Sequence, residues 1–297
     1  MSFFSYKTNS MKTKRAFSLI EISLVLLIIG IIIAGVTQSS DLVLSYKVMM
    51  ARNTTKNSPV AATANLILWL ETVLDESFDD TDSENNNSVS TWYDVNPIGS
   101  SRQTLTQTLT ARPTYIEDCM NELPCLRFDG TNDKFTFDGG FLVGTDYTIF
   151  IVEQRRSNKS MNMFIGGSST TLNSNLQLGY RTDTTYIFDQ LSNDHSSTVA
   201  AYTAPIARIH SYLKNSTLGR DHYVNGTLES GTDSGTGSPT DDIAAFPGSS
   251  IGHYSPEASF FNGDLTEIIM YNRTLNTKER QAVEKYLGEK WRITVAS

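Results

Sequence analysis

Glu21 is the residue whose position most constrains the chemistry of this chain. It is the single charge in the apolar run of residues 17–36. A carboxylate inside such a run costs about 2.5–3.5 kcal/mol in a membrane even on the gentler insertion scale. Cutting the bond between Ala16 and Phe17 would make Glu21 the fifth residue of the new chain. The amino group released on Phe17 could then neutralise it, within one chain or between neighbours. That is a physical reason for cleavage at this bond.

Two other residue types could do chemistry. Cys119 and Cys125 flank a short stretch, Asn121-Glu122-Leu123-Pro124, that reads as a turn. A metal site needs more ligands than this pair, and no histidine lies near it in sequence. In an oxidising compartment the expectation is a Cys119–Cys125 disulfide closing a small hairpin; the alternative is two unrelated buried thiols. The four histidines, His195, His210, His222 and His253, show no metal-ligand spacing, so they read as surface or strand-side residues.

These residues must be placed by a helix and a sheet-rich body. Residues 17–36 form a run of 20, long enough as a helix to span roughly 30 Å, the thickness of a bilayer's hydrocarbon core. Lys7, Lys12, Lys14 and Arg15 precede it, and only Asp41 is charged in the ten residues that follow. The positive-inside rule then keeps the N-terminus in the cytoplasm and sends the body across the membrane. Apolar residues Leu42, Val43, Tyr46, Met49 and Met50 continue the helical period to a polar break before Pro59.

The chain carries 24 basic and 32 acidic residues, a formal charge of -8. Without the four basic residues of segment 1–16 the balance is 20 against 32, or -12. Nucleic acid phosphates would repel such a body, so nucleic acid is not an expected partner. Short runs of β-branched and aromatic residues separated by turns imply strands, at 66–70, 125–128, 134–137, 147–154, 162–165, 176–180, 207–213, 220–224 and 265–271. Asn225-Gly226 is a hairpin signal. Asn276 with Glu279 is a capping box for a last helix bearing Ala282, Val283, Tyr286, Leu287 and Trp291 on one face.

The segment Ala16-Phe17-Ser18-Leu19-Ile20-Glu21, after its basic leader, resembles the cleavage and methylation motif of type IV pilins and type II secretion pseudopilins. The family usually has Gly where this chain has Ala16. The resemblance implies cleavage after Ala16 by a prepilin peptidase and N-methylation of Phe17. It also implies that Glu21 meets the Phe17 amine of another pilin or pseudopilin subunit during assembly. Localisation follows as the bacterial inner membrane before assembly, with a periplasmic body, and the pilus or cell surface after it.

The body resembles the laminin G-like, concanavalin A-like lectin and glucanase superfamily. The resemblance rests on Leu68-Trp69-Leu70, Ser90-Thr91-Trp92-Tyr93-Asp94, Arg112-Pro113, Leu126-Arg127-Phe128-Asp129-Gly130-Thr131-Asn132-Asp133, Tyr223-Val224-Asn225-Gly226 and Phe261 to Arg273, in that order. It implies a jelly-roll-like antiparallel β-sandwich with a surface glycan or protein as ligand. The expected fold is therefore mainly β: a long N-terminal transmembrane helix, then the sandwich, then a C-terminal helix. The expected domains are a leader (1–16), a pilin-like helix (17–58, transmembrane 17–36), a linker (59–65) and the sandwich (66–297). Many laminin G-like domains bind Ca²⁺ at a loop rim, and Asp94, Asp129 and Asp133 are hard oxygen ligands suited to it; segment 129–133 is equally a turn in which Asp and Asn bond their own backbone. Glucanases of this superfamily carry Glu-x-Asp-x-x-Glu on one strand. Glu71, Asp75 and Glu76 have the wrong spacing, and Glu267 stands alone among apolar residues. The expectation is a binding protein, not an enzyme.

Overall fold

The computed structural model describes residues 18–99, 102–257 and 259–296, without the side chains of residues 34–41 and 109. The described chain falls into two compact units, one ending at Ser45 and one starting at Tyr46. Helix α1, Leu19–Lys56, begins in the first unit. Its first turn is closed by Ser18: the Ser18 Oγ accepts from the Ile20 N–H at 3.2 Å, and Glu21 Oε2 accepts from the Ser18 N–H at 2.8 Å. Ser18 thus caps the first turn through Ile20, and Glu21 satisfies a backbone donor of its own chain.

The expected transmembrane helix does not stand. Among the described residues no helix is long and apolar enough to cross a membrane.

The second unit is a β-sandwich. Among the described residues every strand pair is antiparallel. The first sheet runs Thr227–Leu228, Gly219–Val224, Arg208–Asn215, Tyr147–Arg155, Asn262–Tyr271, Leu123–Asp129, Thr114–Met120. Leu66–Glu71 also pairs with Asn262–Tyr271, beyond the end of Leu123–Asp129. The second sheet runs Gly231–Gly235, Asn193–Thr198, Thr185–Asp189, Gln177–Thr182, Asn162–Gly166, Ser250–Ile251, Phe135–Thr136. Their inner faces meet through Leu68, Leu126, Phe128, Ile149, Ile151, Ile268 and Met270 on one side and Phe164, Leu178, Tyr180, Tyr186 and Phe188 on the other.

The first sheet is covered on its outer face as well. Helix α2, Thr277–Trp291, has the expected Asn276–Glu279 capping box. Its Val283, Tyr286, Leu287 and Trp291 pack on Trp69, Phe150, Val152, Ile269 and Tyr271. Ala51, from the end of α1 that belongs to this unit, joins the same cluster. The central strands therefore read as continuous apolar runs such as Tyr147-Thr-Ile-Phe-Ile-Val152, because both of their faces are buried.

A bulge between Leu265 and Glu267 decides where one charge goes. Leu265 and Ile268 both face the inter-sheet core. The extra residue, Thr266, turns Glu267 to the helix side. There it lies directly across from Glu71 on the neighbouring strand, and both are fully buried. Lys290 Nζ, equally buried, sits 2.8 Å from Glu71 Oε2 and 2.8 Å from Glu267 Oε2. Glu267 also accepts from Trp69 Nε1 (2.8 Å), Tyr286 Oη (2.7 Å) and Trp291 Nε1 (2.8 Å). Glu71 accepts from the N–H groups of Val73 and Leu74 and from Ser77 Oγ. Every carboxylate oxygen is satisfied, as burial of charge demands.

Removing the cation would leave two uncompensated carboxylates in the dry layer. We expect Lys290→Met to lower the unfolding free energy by about 3–5 kcal/mol, read as a fall in urea midpoint at unchanged slope. A loss below about 1 kcal/mol would show that the network does not hold the helix to the sheet.

Candidate functional site

Alternation along the second sheet sends Tyr186 and Phe188 into the core and Ile187 and Asp189 to the outer face. Gln177, Asp189, Asp194 and Ser234 are paired in a row across four strands. Gln177, Asp189 and Asp194 form the floor of an open cleft of about 400 Å³, walled by Met161, Arg181, Leu191, Ser192, Tyr254 and Glu257. The size is in the range of small-molecule sites. Gln177 Nε2 donates to Asp189 Oδ2 at 2.8 Å, and the Asn193 N–H donates to Oδ1 at 3.2 Å. Arg181 Nη2 holds Asp194 Oδ2 at 2.5 Å. Burial, then the Asp194 carboxyl beside it, pushes Asp189 up to about 7. Tyr254 is also raised, by burial and then by Glu257.

The cleft rim includes a strained turn. Leu191 and Ser192 join the strands Thr185–Asp189 and Asn193–Thr198 with φ of 65° and 55°. Two-residue hairpin turns of this hand usually take Asn or Gly, and a bulkier residue there costs about 1–3 kcal/mol. Such strain collects where a ligand clamp must be held in shape.

The acids picked from sequence are placed elsewhere. Asp129 Oδ1 accepts from the Thr131 and Asn132 N–H groups, and Asp133 Oδ2 accepts from the Asp129 N–H. Burial, and then the Asp129 charge, raises Asp133 to about 6. Asp94 is a buried acceptor for the N–H groups of Trp69 and Asn96; burial raises it. Among the described residues these three do not gather as a metal cluster; the group that does gather is Cys119, Cys125 and Asp264. There the sulfurs form a disulfide, with Cα atoms 5.8 Å apart, and Asp264 is bound to Arg127 and Arg156. Ala16 and Phe17 lie outside the described residues.

Three groupings escaped the sequence. Glu267 is not alone but faces Glu71. His210 Nδ1 is 3.0 Å from His222 Nε2 between the sheets, with His210 Nε2 3.1 Å from Glu153 Oε1. Burial lowers both histidines, His222 strongly. The third is the cleft itself, whose strands at 185–189 and 193–198 have no apolar alternation that a pattern could find. Its one readable signal was Phe188-Asp189-Gln190-Leu191-Ser192-Asn193-Asp194, polar residues closing a run that starts at Tyr186.

No family model and no curated protein matches the chain. Among solved structures, a sialidase of Trypanosoma rangeli in complex with 2,3-difluorosialic acid is similar at 14% identity and a TM-score of 0.49, over 83% of this chain and 38% of that one. The binding domain of Paraclostridial Mosquitocidal Protein 1 is similar at 12% identity and a TM-score of 0.49, over 76% of this chain and 52% of that one. The chain thus spans well under half the length of the sialidase. The expectation that the chain is not an enzyme is withdrawn. That expectation asked for carboxylates along one strand, whereas the fold pairs them across strands. At such low identity the likeness assigns neither substrate nor activity here.

Asp189 yields a pH signature. Its folded pKa lies above the ordinary 3.8, so the folded state holds an extra proton between pH 4 and 7. Stability it contributes is present at the acid end and is lost as pH rises towards 7. We expect Asp189→Asn to melt progressively higher than the parent as pH goes from 4 to 7, with the gap constant above. A gap independent of pH would refute the shift.

Proposed function

We propose that the sandwich is a lectin-like binding domain that takes a surface glycan in the cleft of Asp189, Asp194 and Arg181. The observation that carries this is the cleft's make-up. Acids and an amide that can share the hydroxyls of a sugar line its floor, and the ring of Tyr254 forms one wall. Charge-assisted hydrogen bonds orient a polyol, and an aromatic wall with a polar tip suits its mixed surface. A protein is the other class of ligand.

We further propose that the N-terminal segment displays this domain by assembling with copies of itself, as in pilins and pseudopilins. Leu19, Leu24, Leu26, Leu27, Ile31 and Ile32 are all exposed on α1, and a helix apolar all round requires cover. Neighbouring helices of the same kind would supply it, with Phe17 freed by prepilin peptidase next to a Glu21. That Glu21 would have to leave its hydrogen bond to Ser18.

Two experiments test these readings. On a glycan array probed with and without Ca²⁺, the body should retain at least one glycan, and Asp194→Ala and Tyr254→Ala should each weaken it at least about tenfold. No retained glycan, or variants that bind like the parent, would defeat the cleft reading. Mass spectrometry of protein from cells with an active prepilin peptidase should show a chain starting at methylated Phe17. An intact leader would defeat the assembly reading, as would filaments that accept Glu21→Ala normally.

A further inference from the structure

The cleft on the second sheet is unbalanced in charge. Asp189, Asp194 and Glu257 bring three carboxyls to its lining, and Arg181 brings the one guanidinium among the described residues there. Arg181 is committed to Asp194, Nη2 to Oδ2 at 2.5 Å. Asp189 is 1% exposed at the cleft floor. Both of its donors are neutral: the Gln177 amide on Oδ2 and the Asn193 N–H on Oδ1. The register sets a second acid, Asp194, directly across from it.

A carboxylate so placed is unfavourable unless a cation or a proton meets it. In the free protein a proton does, since burial and then Asp194 raise the Asp189 carboxyl to about 7. Asp194 and Arg181 face it along the sheet, Tyr254 and Glu257 from the cleft wall, and Arg220 and Tyr147 from the inner side. Arg220 is taken up by the carbonyls of Phe188 and Asn193. A bare metal ion does not fit the deficit: among the described residues Asp189, Asp194 and Glu257 do not gather closely enough to hold one. Charge spread in this way suits a ligand that carries its cation on an organic frame. Tyr254 and Met161 give such a frame apolar wall to lie against.

We propose that the cleft selects glycans with free amino groups, whose ammonium pairs with Asp189 and displaces its proton. The proposal rests on the glycan reading of this cleft. An ammonium brings three donors, and the two oxygens of an ionised Asp189 have acceptor capacity beyond the two donors they now hold. The proton leaves Asp189 for solvent as the ligand's charge takes its place, so the floor stays neutral. N-acetylation of the same sugar removes that charge and leaves the proton where it was. Below pH 7 the proton must first be removed, so affinity for the amine weakens as pH falls.

The test is calorimetric titration of the full chain with the β-1,4-linked tetramer of glucosamine and with its N-acetylated counterpart. The free-amine tetramer should bind at least about tenfold tighter at pH 6.5. About one proton should be released per site, read from buffers of different ionisation heat. Its affinity should drop about tenfold from pH 6.5 to 5.5, while the acetylated tetramer shows no such slope. In Asp189→Asn, folded by circular dichroism, the ratio of the two affinities should fall to near one and the proton release should vanish. Equal affinities in the parent, or a preference for the amine that survives Asp189→Asn, would overturn this proposal and leave the glycan reading standing. So would a free-amine tetramer that fails to bind while the array retains other glycans through Asp194 and Tyr254. No tetramer bound and no glycan retained on the array would overturn both.

Discussion

The ammonium of Lys290 sits between two carboxylates that the sheet would otherwise force face to face. Glu71 and Glu267 are directly paired on adjacent strands, fully buried, on a surface that α2 must cover. Like charges placed opposite each other repel, and in a dry layer the repulsion is barely screened. One cation against two anions leaves a formal negative charge, and three aromatic donors, two backbone N–H groups and a serine hydroxyl spread it. Two of those aromatic donors, Tyr286 and Trp291, come from α2, as does Lys290 itself. The network therefore fixes the helix in position and rotation as well as holding it down. It also reaches the end of α1, whose Thr55 Oγ1 lies 3.4 Å from Tyr286 Oη.

That anchoring divides labour between the sheets. The first sheet is covered on both faces, and its residues are spent on packing. The second has only its inner face in the main core, so its outer face can carry the row of Gln177, Asp189, Asp194 and Ser234. Single strands serve both sides: Asp194 faces the cleft and His195 the interior one residue later. The polar groups between the sheets are satisfied less completely, since Glu153 Oε2 is buried without a hydrogen-bond partner. Glu153 Oε1 is met by Tyr180 Oη at 2.7 Å and by His210, and the stacked His210 and His222 stay neutral because burial disfavours their charge.

How much could be read beforehand varies along the chain in a physically consistent way. The strands at 147–155 and 262–271 were legible because both faces are apolar. The Asn225-Gly226 turn was legible because φ values of 50° and 78° suit those residue types, and α2 because its cap and its apolar face are local. Ser18-Leu-Ile-Glu21 carried an N-cap and its Glu21 contact in plain view, which the odd charge of Glu21 masked. The edge strand 231–235 and its neighbour 193–198 were not legible. Their Ser, Thr, Asp and Gly residues form strands through pairing with neighbours far away in sequence, which no local period reports.

The sequence by itself determined the class of the body, the turn at 225–226, the capped last helix and the nearness of Cys119 to Cys125, since each depends on neighbours within a few residues. Only the tertiary structure decided which charges meet. Glu71 and Glu267 are far apart in the chain, as are Lys290 and Glu71, and the bulge at Thr266 sets which face Glu267 takes. Asp189 and Asp194 are close in sequence, yet their pairing needs a turn through Leu191 and Ser192 that neither residue type favours. A side chain's period reports its own strand, whereas a site is made where strands are set side by side, and register is a property of the whole sheet.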